Sequence, residues 1–123
     1  MTSGSPYEEE VGFSRAVRVG HRVIVAGTAP IWPDDFCDPD VGQQARRCLE
    51  IIVTALAEAG ANPEDVVRTR IYLVDPNDSS AVGRVHGHVF GTARPASTMI
   101  VVAALLDPRW RVEIEAEAII GDE

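Results

Sequence analysis

The sequence predicts an α+β domain in the order β-β-α-β-α-β-β, a mixed sheet with two helices on one face. Three observations carry this reading. From Trp110 onward, Trp110, Val112, Ile114, Ala116 and Ala118 alternate with Arg111, Glu113, Glu115 and Glu117, so this strand has one buried and one acidic face. Residues 40–59 place Val41, Ala45, Cys48, Leu49, Ile52, Ala55, Leu56 and Ala59 on one helical stripe. Residues 98–106 form an almost wholly apolar run with no polar side, a strand that needs cover on both faces. One chain of 123 residues can hardly provide that cover. The third observation therefore predicts an oligomer as well as a strand.

Taken in order, residues 1–10 are polar and acidic and read as a mobile arm, and residues 11–123 form a single domain. Residues 13–19 and 22–28 are two strands joined at Gly20-His21, a two-residue hairpin signal. Gly27 near the end of the second predicts a bulge or a close backbone approach. After a Pro- and Asp-rich loop, Asp40 followed by Gln43 predicts a capping box, with Asp38-Pro39 as an alternative start. Gly60 and Pro63 stop the helix. Its opposite side, with Gln44, Arg47, Glu50 and Glu58, reads as solvated.

Residues 65–74 form the third strand, with Val67, Thr69, Ile71 and Leu73 facing one way and Arg68, Arg70 and Tyr72 the other. Asn77 or Asp78 caps a second helix to about Phe90, with Val82, Val85 and Val89 inward. Gly83, Gly87 and Gly91 share one side of it, read either as a marginal helix held by packing or as a flat surface where another backbone comes close. The strands 98–106 and 110 onward, broken at Asp107-Pro108, complete the chain.

Composition narrows the function. The formal net charge of −8, with 11 Lys+Arg against 19 Asp+Glu, disfavours a nucleic-acid partner, whose phosphates demand clustered cations. There is no signal-peptide pattern and no stretch of the ~20 apolar residues that a membrane helix needs. The default is a cytoplasmic, thiol-reduced protein, with Cys48 in the core and Cys37 in a loop. His21, His86 and His88 do not stand at chelating spacing, so no metal is expected, nor is any other cofactor. Nucleotide-binding and nucleophile-elbow motifs are absent from the sequence. What remains is the acidic row. Glu115 and Glu117 are read as cross-strand partners of Arg68 and Arg70. Glu113, at the start of the strand, is the candidate proton carrier.

The segments VRVGHRVIVAGTAP, QQARRCLEII with AGANPEDVVRTRIYLVD, NDSSAV, RPAST and VEIEAEA, in this order and spacing, resemble the Rid (YjgF-type, reactive-intermediate deaminase) family over about residues 13–120. The resemblance implies a chorismate-mutase-like fold, a homotrimer and a ligand cleft at each subunit interface. It also implies hydrolysis of enamine or imine products to ammonia and a 2-keto acid. Some relatives are described as endoribonucleases.

Position by position, the resemblance carries over unevenly. Deaminating members have an arginine one residue after this Pro-Ala, clamping the substrate carboxylate; here that position is Ser97. A hydroxyl does not replace a bidentate cation, and such a contact is worth about 1.5–3 kcal/mol. Phe13 stands for a cleft tyrosine, Ala26 for a cleft serine and Gly83 for a helix asparagine, while the water-orienting glutamate is kept as Glu113. Arg94 could supply a displaced charge.

The expectation is a trimer binding a small organic molecule, with weak or no deaminase activity on amino-acid-derived imines. In such a cleft Glu113 would hold or activate water and Phe13 would wall the site. Ser97 and the backbone at Ala26 and Gly27 would hydrogen-bond the ligand. The alternatives are an active enamine/imine deaminase using Arg94 or a substrate without a carboxylate, and a non-catalytic, chaperone-like scaffold. Ribonuclease activity ranks last, because the chain is acidic and lacks an obvious acid/base pair.

Overall fold

The computed structural model describes residue 8 and residues 12–121. Five strands, β1 (Ala16–Val19), β2 (Arg22–Thr28), β3 (Val66–Leu73), β4 (Ala96–Val101) and β5 (Val112–Ile119), form one sheet in the order β1-β2-β5-β3-β4. All pairings are antiparallel except β3 with β4. A parallel pair needs a crossover, and helix α2 (Ser79–Phe90) supplies it beside the longer α1 (Val41–Glu58). Both helices pack on the sheet face carrying Val25, Ile71, Ile114 and Ala116, and with Leu49, Ile52, Leu56 and Phe90 they close the core. No helix among the described residues is long and apolar enough to cross a membrane.

The local signals act as the sequence predicts at several points. Gly20 takes φ +61° in the β1–β2 turn, where Val19 pairs with Arg22. Asp40 caps α1, its carboxylate accepting from Gln43 N at 2.9 Å. The return half of the box is made differently, because Asp40 N donates to the Asp38 carboxylate instead. At the far end Gly60 sits at φ +89°. There Gly60 N reaches Ala57 O and Ala61 N reaches Leu56 O, the paired bonds of a Schellman stop. Cys48 is fully buried, as expected.

Other expectations need correction. Of the arm expected over residues 1–10 only Glu8 is described, and Glu8 is buried; the rest lies outside the described residues. The first strand starts at Ala16, not at 13. Val67 does not face the core: a bulge between Val66 and Arg68 turns it outward, 41% exposed. Neither Asn77 nor Asp78 caps α2 through its side chain. Asp75 instead holds Asn77 N in a preceding 3-10 turn, and Asp78 receives Arg111 Nη2 at 2.8 Å.

Gln44, expected in water, is fully buried. The apolar run forms a strand only as far as Val101, since its partner β3 ends at Leu73. It lies at the sheet edge with every residue exposed. Among the described residues no other segment's backbone lies within 4 Å of where a side chain on Gly83 or Gly87 would start, and a methyl group on Gly83 would meet the Met99 side chain. Within one chain the apolar strand and the glycine surface stay uncovered.

Candidate functional site

The bulge in β2 builds the first half of the site. Pairing with β5 shifts between Val25 and Thr28, and the freed turn brings Gly27 under the Glu113 carboxylate. A methyl group on Gly27 would lie 2.5 Å from Glu113 Oε2, so any larger residue there would displace this carboxylate. Ala26, beside it, is tied by its N–H to Arg15 O.

Arg15 is the residue that sequence reasoning missed. Its guanidinium is buried, 5% exposed. Nη1 donates to Gly27 O and to Thr28 Oγ1, both at 2.8 Å, and Nε faces the Glu8 carboxylate at 3.5 Å. The group also lies 5.4 Å from the centroid of the Phe13 ring, within cation–π range. The available signal was thin: Arg15 is one of two arginines in the expected strand 13–19, and it lies two residues after an aromatic.

No hydrogen bond reaches the Glu113 carboxylate from the described residues. Burial pushes its pKa up from the usual carboxylate range, the Arg15 charge pulls it back, and Glu115 pushes it up again. A carboxyl in this state can hold a proton and pass it to a ligand or water. Its folded pKa exceeds the unfolded one, so below the ordinary carboxylate range of about 4 it is neutral in both states and costs nothing. As pH climbs through the raised value the folded state resists ionisation and stability falls. Glu113→Gln is therefore expected to be more stable than the parent at neutral pH, the gain vanishing in acid. Urea titrations across pH check this, and an unchanged or lowered neutral-pH stability would refute it.

Glu115 and Glu117 are engaged structurally, though not quite with the expected partners. Glu115 Oε1 accepts from Arg70 Nη1 at 2.7 Å and from Tyr72 Oη at 2.6 Å. Glu117 pairs with Arg22 at 2.6 Å rather than with Arg68, although Arg68 stands opposite it in the ladder.

Ser97 and Arg94 lie elsewhere. Ser97 stands opposite Thr69 in the parallel β3–β4 register and accepts from Thr69 Oγ1 at 2.8 Å. Thr69 belongs to the helix-facing side with Ala116, whereas Glu113 stands opposite Tyr72 on the other side. Glu113, Gly27, Phe13 and Arg15 thus form one group, and Ser97 falls on the opposite sheet face. Arg94 follows α2 at φ +51°, its N–H on Phe90 O at 2.8 Å. With His86 and Phe90 it lines a cavity of about 360 Å³. Among the described residues no cluster of three or more His, Cys, Asp or Glu could hold a metal.

The family described as endoribonuclease L-PSP matches residues 5–120. The fold superposes on a crystal structure from Mycobacterium tuberculosis, a member of the YjgF/YER057c/UK114 family, with a TM-score of 0.90. Identity is 46%, over 98% of this chain and 97% of that one. An uncharacterised protein of Streptomyces coelicolor is 43% identical over 122 residues, 98% of this chain and 91% of the relative. A mouse relative named 2-iminobutanoate/2-iminopropanoate deaminase is 33% identical over 112 residues, 89% of this chain and 82% of the relative.

Proposed function

The chain belongs to the YjgF/Rid family, and from that premise we propose that it is a homotrimer binding a small organic ligand in clefts between its subunits. The observation that carries this reading is the placement of Ser97 and Glu113 on opposite faces of one sheet. A ligand cannot pass through a sheet, so one that touches both residues takes them from two copies. The uncovered edge strand supports the same arrangement. Met99, Ile100 and Val101 are 37–51% exposed, and an open apolar edge is a template for association unless another chain covers it.

Catalysis in this cleft is weak or absent toward amino-acid-derived imines. The mouse relative bears the name of a deaminase, but here Ser97 offers a neutral hydroxyl where a carboxylate calls for a cation. Arg15 does not fill that role, because Gly27 O and Thr28 Oγ1 hold its guanidinium inside the fold. Glu113 remains the group able to hold or donate a proton, Phe13 walls its side, and the backbone at Gly27 adjoins it. The second reading, a working imine deaminase, draws on the same Glu113.

Two measurements test the proposal. Sedimentation at micromolar concentration is expected to give the mass of three chains, and a single-chain particle would end it. Ammonia release from freshly generated 2-iminobutanoate is expected to fall far below that of a relative carrying the arginine. Comparable rates would favour the deaminase.

A further inference from the structure

We propose that β3 and α2 fix the direction of the Ser97 hydroxyl so that the cleft recognises a neutral carbonyl, such as a ketone or carboxamide, at that position. This rests on the reading that Ser97 faces the ligand, and it names the ligand class.

The geometry is a chain of three side chains. His86 Nε2 lies 2.8 Å from Thr69 Oγ1, which lies 2.8 Å from Ser97 Oγ and donates to it. A threonine hydroxyl has one hydrogen. We take His86 Nε2 as the donor to Thr69, which leaves the one threonine hydrogen for Ser97. Thr69 is 1% exposed and cannot exchange either partner for water. Burial of His86 favours its neutral form, which then carries its proton on Nε2.

Ser97 Oγ accepts in this arrangement, so its own hydrogen is free to be donated. None of the described residues accepts it, and Ser97 is exposed. The chain thus presents one neutral, oriented donor. A carbonyl acceptor matches it at little desolvation cost. A carboxylate would surrender hydration that one hydroxyl cannot replace, and no cation is hydrogen-bonded into the chain.

The test compares two probes of one skeleton that differ only at the carbonyl group offered to Ser97, butanamide and butanoate, by calorimetric or NMR titration. The parent is expected to bind the amide at least as tightly as the acid. Thr69→Val is expected to weaken the amide about five- to tenfold, the scale of one neutral hydrogen bond, and to leave the acid nearly unchanged. Thr69→Ser keeps the hydroxyl and is expected to restore the preference, which separates the relay from mere damage to the core. Tighter binding of the acid, abolished by Arg94→Ala, would overturn the inference and give the position to Arg94. An amide preference that survives Thr69→Val would overturn it too. If neither probe binds a particle of three chains, this inference alone falls. If the particle is a single chain, the cleft falls with it.

Discussion

Gln44→Leu is expected to destabilise the protein by about 4 kcal/mol, as much as emptying a core position. The side chain is fully buried at the start of α1 and closes two loops at once. Its amide donates to Asp38 O at 2.8 Å and Arg109 O at 3.0 Å, and its carbonyl accepts from Arg111 N at 2.7 Å. Leucine fills a similar volume and makes none of these bonds. Three partly buried backbone groups then lose their partner, at roughly 1–3 kcal/mol each. A domain of this size has only about 5–15 kcal/mol to lose.

The expected signature is a large fall in urea midpoint at unchanged slope, read at one fixed protein concentration because association shifts apparent stability. Gln44→Glu should do no better, since it keeps the acceptor for Arg111 but turns an anion toward two carbonyls. A cost below about 1 kcal/mol for the leucine variant would mean that water closes these loops as well as the amide does. The site has a stake in this, because Arg111 is two residues before Glu113. Loosening the entry to β5 would loosen the carboxylate.

Gln44 also marks where the sequence stopped being legible. Residue type and spacing sufficed for α1, whose stripe from Val41 to Ala59 lies in the core, and for β5, where Val112, Ile114, Ala116 and Ala118 are buried. They sufficed for the β1–β2 turn and for the bulge at Gly27. The family could be read from residues 13–120, and the match over residues 5–120 bears it out. Periodicity, however, describes a helix against a flat core. It cannot see a loop folded over the helix's polar side, which is what buries Gln44.

Nor can periodicity see a bulge in the middle of a strand, so Val67 was assigned inward when the ladder shifts there and turns it out. The apolar run after Thr98 reads as a strand to Leu106, yet the strand ends at Val101, because length depends on how far the partner β3 continues. The candidate site was legible as residues and not as an arrangement. Glu113 and Ser97 are named by the family pattern, but only sheet order and register reveal that one strand and a change of face separate them.

Arg15→Met is expected to cost about 3–5 kcal/mol, the scale of removing one partner from a buried ion pair. Two effects combine: Gly27 O and Thr28 Oγ1 lose their donor, and Glu8, itself 7% exposed, loses the guanidinium it faces. Arg15→Lys should recover little of this, since one ammonium cannot span both oxygens and the Glu8 carboxylate as the planar fork does. The second consequence is electrical. Arg15 is the charge that pulls the Glu113 pKa down against burial and Glu115, so without it that pKa rises further. The fall in stability on raising the pH should begin at the same pH as in the parent, which the unfolded chain sets, but continue to a higher pH and reach deeper once Glu113 is forced to ionise. Glu113→Gln should accordingly stabilise the Arg15→Met protein at neutral pH by more than it stabilises the parent, a coupling that a double-mutant cycle measures directly. If the glutamine adds the same increment in both backgrounds, Arg15 does not tune Glu113.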